Sequence, residues 1–325
     1  RTKRQGLPPP EPEAAGGSRS PLPAGAAAWR EGWPVTASAL ALAAAAAGGW
    51  ALYDLLRKLL ADRLPALTLV ALVTLGALPL LAVWAVAAGQ WRVAPGYLQP
   101  ALLSVLLNMV ANLAYFRALQ LSPVSITLPL LTLTPVFAAL LAVPLLGERL
   151  TARAGFGIFL VVAGAGALHL GRLGGRGARR WLAGLARERG SQLMALVALC
   201  WSATLLLDKV ALRHAAPVLH ALVLHAGVAA VAVALLTGRG TLGSLAGVRR
   251  VPLLIAATVL CGAVTLTVQL AAIRAMEVAL VETIKRGIGA SLALVWGRLL
   301  FSEPLTAAKV GGVAAMIAGV ALLLV

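Results

Sequence analysis

Residues 114–151 read AYFRALQLSPVSITLPLLTLTPVFAALLAVPLLGERLT, and residues 271–306 read AAIRAMEVALVETIKRGIGASLALVWGRLLFSEPLT. Arg117-Ala118-Leu119 answers Arg274-Ala275-Met276, and Glu148-x-Leu150-Thr151 answers Glu303-x-Leu305-Thr306. Both stretches lie in sequence that is almost wholly apolar. Duplicated apolar helices are the sequence signature of a transporter that binds its substrate between two halves.

Working outward from that pair, apolar runs recur that are about 20 residues long, the length of helix that crosses a bilayer's hydrocarbon core. Hydrophobic residues make up 60% of the 325-residue chain and charged residues only 12%, about half the charge of a soluble domain. The reading is an all-α membrane protein with ten transmembrane helices. The spans fall near 35–57, 65–88, 100–120, 123–146, 152–170, 192–213, 217–237, 251–273, 277–301 and 305–325. Prolines such as Pro65, Pro100, Pro217 and Pro252 stand near span starts, where a missing N–H does no harm. The Ala-x-Ala content of the first run resembles a signal peptide. Its length and the spans that follow favour a true first helix.

Four segments follow. Residues 1–33, rich in Pro, Gly and charge, read as a disordered tail. Residues 34–171 form a first five-helix repeat, 172–190 a basic linker, and 191–325 a second five-helix repeat. Five is odd, so the second copy enters the membrane from the opposite side. The repeats are therefore inverted, with a pseudo-two-fold axis in the membrane plane. Trp50 and Lys58 match Trp201 and Lys209. Gly157 and Gly164 match Gly312 and Gly319, small residues of the kind that let helices approach closely in lipid.

The net charge is +17. The arginines cluster in loops and at span ends, where anionic lipid head groups attract them, and no basic stretch is interleaved with aromatics for base stacking. Nucleic acid is excluded as a partner; the lipid bilayer and a small-molecule substrate are expected. Cys200 and Cys261 read as small buried residues. His214, His220 and His225 lack metal-ligand spacing, and no cofactor or metal is expected. Asp208-Lys209 reads as an interfacial pair. No buried aspartate pair and no phosphate-binding Gly-rich motif is present, so neither an enzyme nor an ATP-driven pump is encoded here.

SPVSITLPLLTLTPVFAALLAVPLLGERLT and VETIKRGIGASLALVWGRLLFSEPLT resemble the two repeats of the EamA family, in the drug/metabolite transporter superfamily. The resemblance covers about residues 35–325. It implies a secondary transporter of an inner or plasma membrane, with both termini in the cytoplasm, as a monomer or a homodimer. Arginine counts in the loops point to the other orientation. The superfamily carries amino acids, other metabolites, drugs, nucleotide sugars and sugar phosphates, so substrate stays open.

Charge within a span marks function by default. In the ninth span Glu282, Lys285 and Arg286 share one helix face, and Gly289 and Ala293 continue it. The triplet keeps one positive charge, which either an anionic substrate group or neighbouring side chains must balance. The resemblance implies the first: the sugar-phosphate branch holds phosphate with a Lys-Arg pair in the ninth helix. That branch adds a lysine in the fourth helix, which here reads Thr127-Leu128-Pro129-Leu130-Leu131-Thr132. A carboxylate or an amino acid is therefore better provided for than a phosphate. The second half of the cavity is expected to be charged, and the first apolar with hydroxyls from Ser125, Thr127, Thr132 and Thr134. Pro129, Pro135, Gly287 and Gly289 are expected to weaken helix beside the site. Asn108 and Asn112 stand opposite Thr265 and Gln269, as cavity lining or as interhelical hydrogen bonds, and Tyr115 serves either role. Glu282 is the candidate for proton coupling. The function expected is export of an amino acid or organic anion by alternating access. A sugar-phosphate, nucleotide-sugar or lipid-carrier translocator is the alternative.

Overall fold

The computed structural model describes residues 36–122, 128–147, 151–170, 188–301 and 307–324. The tail 1–33, Ser125, Thr127, Glu148 to Leu150, Glu303 to Thr306 and most of the 172–190 linker lie outside the described residues. No β-strand is formed among the described residues beyond an isolated bridge between Val93 and Ala215.

Ten α-helices are present among the described residues: α1 (Ala37–Ala61), α2 (Ala66–Ala87), α3 (Leu98–Leu121), α4 (Thr134–Leu146), α5 (Ala152–Leu170), α6 (Arg189–Ala211), α7 (Pro217–Gly238), α8 (Pro252–Ala275), α9 (Val278–Phe301) and α10 (Ala307–Leu324). Six of them (α1, α2, α3, α6, α7 and α8) are long and apolar enough to cross a membrane. Local chemistry sets the ends. The Thr36 hydroxyl accepts from the Ala39 N–H at 3.2 Å and caps α1, and the Ala-rich run that follows has the highest helix propensity. Pro217 and Pro252 open α7 and α8. Gly147, at φ +67°, closes α4 in a left-handed conformation that favours glycine.

One expected span is broken. Residues 128–133 form a 3₁₀ helix, and regular α-helix starts only at Thr134, with Pro135 in its first turn. Proline lacks the N–H that would continue the ladder through this point. The glycines of the ninth span have no such effect, since α9 runs unbroken through Gly287 and Gly289. Glycine costs a helix about 1 kcal/mol but leaves its hydrogen bonds intact.

The helices pack in related pairs. α1 lies on α8 and α6 on α3; α1 also meets α9 as α6 meets α4; α2 meets α8 as α7 meets α3; α2 packs on α7, α4 on α9 and α5 on α10. Exchanging each helix for the one five places along maps this set onto itself. The α5–α10 seam is reciprocal in detail. A Cβ built on Gly164 would stand 2.5 Å from the Gly312 carbonyl oxygen, and one on Gly319 would stand 2.6 Å from that of Gly157. Late residues of each helix thus meet early residues of the other, so α5 and α10 run antiparallel.

Small residues face inward and large apolar ones outward. Ala39, Ala43, Ala46 and Ala47 are buried along α1, whereas Leu98, Leu102, Leu106 and Val110 form an exposed stripe on α3. An outward apolar stripe of this kind suits a lipid surround.

Candidate functional site

A cavity of about 110 Å³ opens where the two sets of five helices meet. Its polar lining comes from α1 (Trp50, Tyr53, Asp54, Arg57), α2 (Thr74), α3 (Asn108, Asn112), α6 (Trp201, Thr204, Asp208), α7 (His225), α8 (Gln269) and α9 (Lys285, Arg286).

The α9 charges converge here. Lys285 pairs with Glu282, and its ammonium donates to Gln269 Oε1 at 3.1 Å. It also lies 5.2 Å from the centre of the Trp50 ring, a cation–π contact. Arg286 is 3.7 Å from the other Glu282 oxygen and donates to Thr134 Oγ1 at 3.5 Å. Glu282 is fully buried and stands behind the two cations rather than on the cavity wall. Two cations therefore share one carboxylate.

Asn108 and Asn112 both reach the wall. The Asn108 amide donates to Ser104 Oγ, and Asn112 accepts from Arg57 Nη2 at 3.2 Å. Tyr115 supports the wall from behind, its hydroxyl donating to Asp54 Oδ1 at 3.1 Å. Asn112 and Gln269 line the cavity and accept from a neighbouring helix, whereas Asn108 lines it and bonds Ser104 on its own helix.

The fourth helix differs from expectation. None of residues 128–147 lines the cavity, and Leu131, opposite Arg286 in the repeat, is 2% exposed within the apolar core. Thr134 reaches the site only through Arg286. The hydroxyls on the wall are instead Thr74 and Thr204. The 3₁₀ segment diverts the chain, and α1 takes the place expected of the fourth helix.

The sequence reading missed Arg57 and Asp208. Arg57 is 1% exposed. Its guanidinium lies 3.8 Å from the Tyr115 ring centre, 4.9 Å from that of Phe116 and 5.1 Å from that of Tyr53, with Asp54 at 3.9 Å. Asp208 is 3% exposed, accepts from the Ser104 hydroxyl and lies 3.1 Å from His220 Nε2. Neither it nor Lys209, which donates to the Met276 carbonyl at 3.1 Å, sits at an interface with solvent. Extending the Trp50–Trp201 and Lys58–Lys209 correspondence puts Arg57 opposite Asp208, and that was the signal in the sequence.

Three wall residues carry buried N–H groups without a protein acceptor: Trp50 Nε1, Arg57 Nε and Arg286 Nε. An unpaired buried donor costs about 1–3 kcal/mol.

The EamA-like transporter family matches residues 37–168. Similarity to a transporter family over that stretch goes with six helices long and apolar enough to cross a membrane among the described residues. A crystal structure of a protein 21% identical covers 88% of this chain and 97% of its own, with a TM-score of 0.67. At that identity the likeness shows the fold alone. No curated protein matches this chain.

Proposed function

We propose that the protein is a secondary transporter that exports an amino acid or a related organic anion across a cell membrane by alternating access. In this reading ten helices span the bilayer as two inverted five-helix repeats, and the substrate sits in the cavity between them. The observation that carries the proposal is the wall chemistry. Guanidinium side chains from both halves, Arg57 and Arg286, line one cavity, with Lys285, which shares its carboxylate with Arg286, beside them. A substrate carboxylate would take charge-assisted hydrogen bonds from these cations. On the same wall, Asp54 beside Arg57, and Asp208 from α6, offer acceptors to a substrate ammonium group. An α-amino acid carries both charged groups on one carbon. The antiparallel packing of α5 on α10 supports the inverted arrangement, because equivalent helices that run oppositely are related by an axis across them.

One observation favours a second reading. Arg57 adds a third cation to the wall, which partly replaces the missing lysine of the fourth helix and makes room for a sugar phosphate. Thermal stabilisation of the purified protein by a panel of amino acids, organic acids and sugar phosphates separates the two. Amino acids are expected to raise Tm in the parent and to lose that effect in Lys285→Ala. Stabilisation by sugar phosphates alone would move the assignment to the second reading, and a Lys285→Ala variant that responds like the parent would remove the anion site altogether.

A further inference from the structure

A file of buried polar groups leaves the cavity on the α6 side. Asp208 lines the cavity. One of its oxygens accepts from Ser104 and lies 3.1 Å from His220 Nε2. On the far side of the imidazole, His220 Nδ1 is 2.8 Å from the Tyr97 hydroxyl. His220 is fully buried and Tyr97 is 2% exposed. Tyr97 caps the start of α3, His220 lies in the first turn of α7, and Asp208 lies in the last turn of α6. The file therefore runs from one end of the bundle to the cavity.

We propose that Tyr97, His220 and Asp208 form a proton relay into the substrate cavity, with Asp208 as the proton-binding carboxylate. The proposal rests on the transporter reading above and names its coupling ion. The hydrogen-bond pattern assigns the tautomer: a carboxylate can only accept, so Nε2–H donates to Asp208 and Nδ1 accepts from Tyr97. A proton enters as follows. The Nε2 proton passes to Asp208, the Tyr97 hydroxyl proton passes to Nδ1, and the phenolic oxygen takes a proton from water at the end of the bundle. One proton has been taken up, Asp208 is neutral, and the ring has exchanged tautomers. Release to the other side follows from Asp208 into the cavity.

The surrounding charges set Asp208 apart from Glu282. Glu282 answers two cations, and a proton on it would leave Lys285 and Arg286 facing an uncharged carboxyl. Asp208 meets a hydroxyl and an imidazole. The other ionisable groups near it are Lys209 on its own helix, His225 on α7, Asp54 and Arg57 on α1, Lys285 and Arg286 on α9, and His214 in the turn after α6. Lys209 donates to the Met276 carbonyl, and the remaining cavity charges are carried by other helices, α1, α7 and α9.

The test needs no substrate. Infrared difference spectra of the purified full chain, taken as the pH is stepped, report a protonated carboxyl through its C=O stretch. The band is expected in the parent, lost in Asp208→Asn, and displaced along the pH axis in His220→Gln. A band that survives Asp208→Asn, or that vanishes with Glu282→Gln instead, overturns the proposal. If Asp208→Asn does not fold, Tyr97→Phe and His220→Gln carry the test: an unmoved midpoint in both overturns it. In proteoliposomes, the ratio of alanine flux with a pH gradient to flux without one should fall to unity in Tyr97→Phe. An unchanged ratio in that variant counts against the relay. Absence of alanine flux in the parent would count against the substrate reading, and the infrared result would stand separately from it.

Discussion

Arg57 stands one turn before the end of α1 and yet is 1% exposed. Its burial explains which site residues were legible. Lys285, Arg286 and Glu282 declare themselves because three charges fall together on one helix face inside an apolar run, where charge is costly. Arg57 and Asp208 close apolar runs, the usual place of an interfacial charge. Only the convergence of α1, α3 and α6 draws them inward. Arg57 stacks on aromatic rings and presents a planar fork of donors, neither of which lysine reproduces. Arg57→Lys should therefore keep the fold while weakening anion binding about tenfold, or about 1.4 kcal/mol, read from the substrate dependence of the thermal shift. Equal affinity in parent and variant would place the anion elsewhere. A second residue gives a pH signature. Burial pushes the Glu188 carboxyl up, but hydrogen bonds from Ser122, Ser191 and Gly190 outweigh this and hold it down at about 2 from its ordinary 4.5. It caps the start of α6. Its folded-state value is the lower one, so the cap contributes fully above pH of about 4.5 and loses its contribution as the pH falls toward about 2. Glu188→Ala should cost about 1 kcal/mol at neutral pH. The Tm difference from the parent should shrink between those two pH values; a constant difference would deny the ionised cap.

At the scale of elements, periodicity of length gave most of the helices directly, because a bilayer span demands about 20 apolar residues whatever their order. The fourth helix was harder. Its composition reads as a full span, and the 3₁₀ entry over 128–133 follows from Pro129 and Pro135 acting together with packing against α6. The paired glycines were legible as a correspondence, and the structure adds its cause. Gly164 and Gly319 each lie against the backbone of the opposite helix, so an added methyl meets a carbonyl that cannot rotate away. Gly164→Ala should therefore force α5 and α10 apart and lower stability by about 1–3 kcal/mol. Gly319→Ala should do the same from the other side. Because both act by separating one seam, the double variant should lose less than the two single losses combined. Full additivity of the three Tm values would mean that the seams yield independently.

For the whole molecule, the exchange that carries each helix onto the one five places along is visible in every major packing pair. Sequence likeness alone reached this through short matches: the Arg-Ala and Glu-x-Leu-Thr stretches, the Trp50–Trp201 and Lys58–Lys209 pairs and a few small residues. What relates them is shape: equivalent helices pack alike while their side chains diverge, so Arg57 faces the cavity on one side and Asp208 on the other. That divergence makes the wall chemically polar across a symmetric frame, which suits a ligand with unlike ends. The same frame fixes a topological outcome. If equivalent helices run oppositely, as α5 and α10 do, then the start of α1 and the start of α6 lie on opposite membrane faces. Ser38 and Gln192 are both exposed near those starts. With Cys200 and Cys261 replaced by alanine, Ser38→Cys and Gln192→Cys should react with an impermeant maleimide from opposite sides, one in right-side-out vesicles and the other in inverted ones. Labelling of both from the same side would break the inverted arrangement, and with it the two-sided access that an exporter of this design requires.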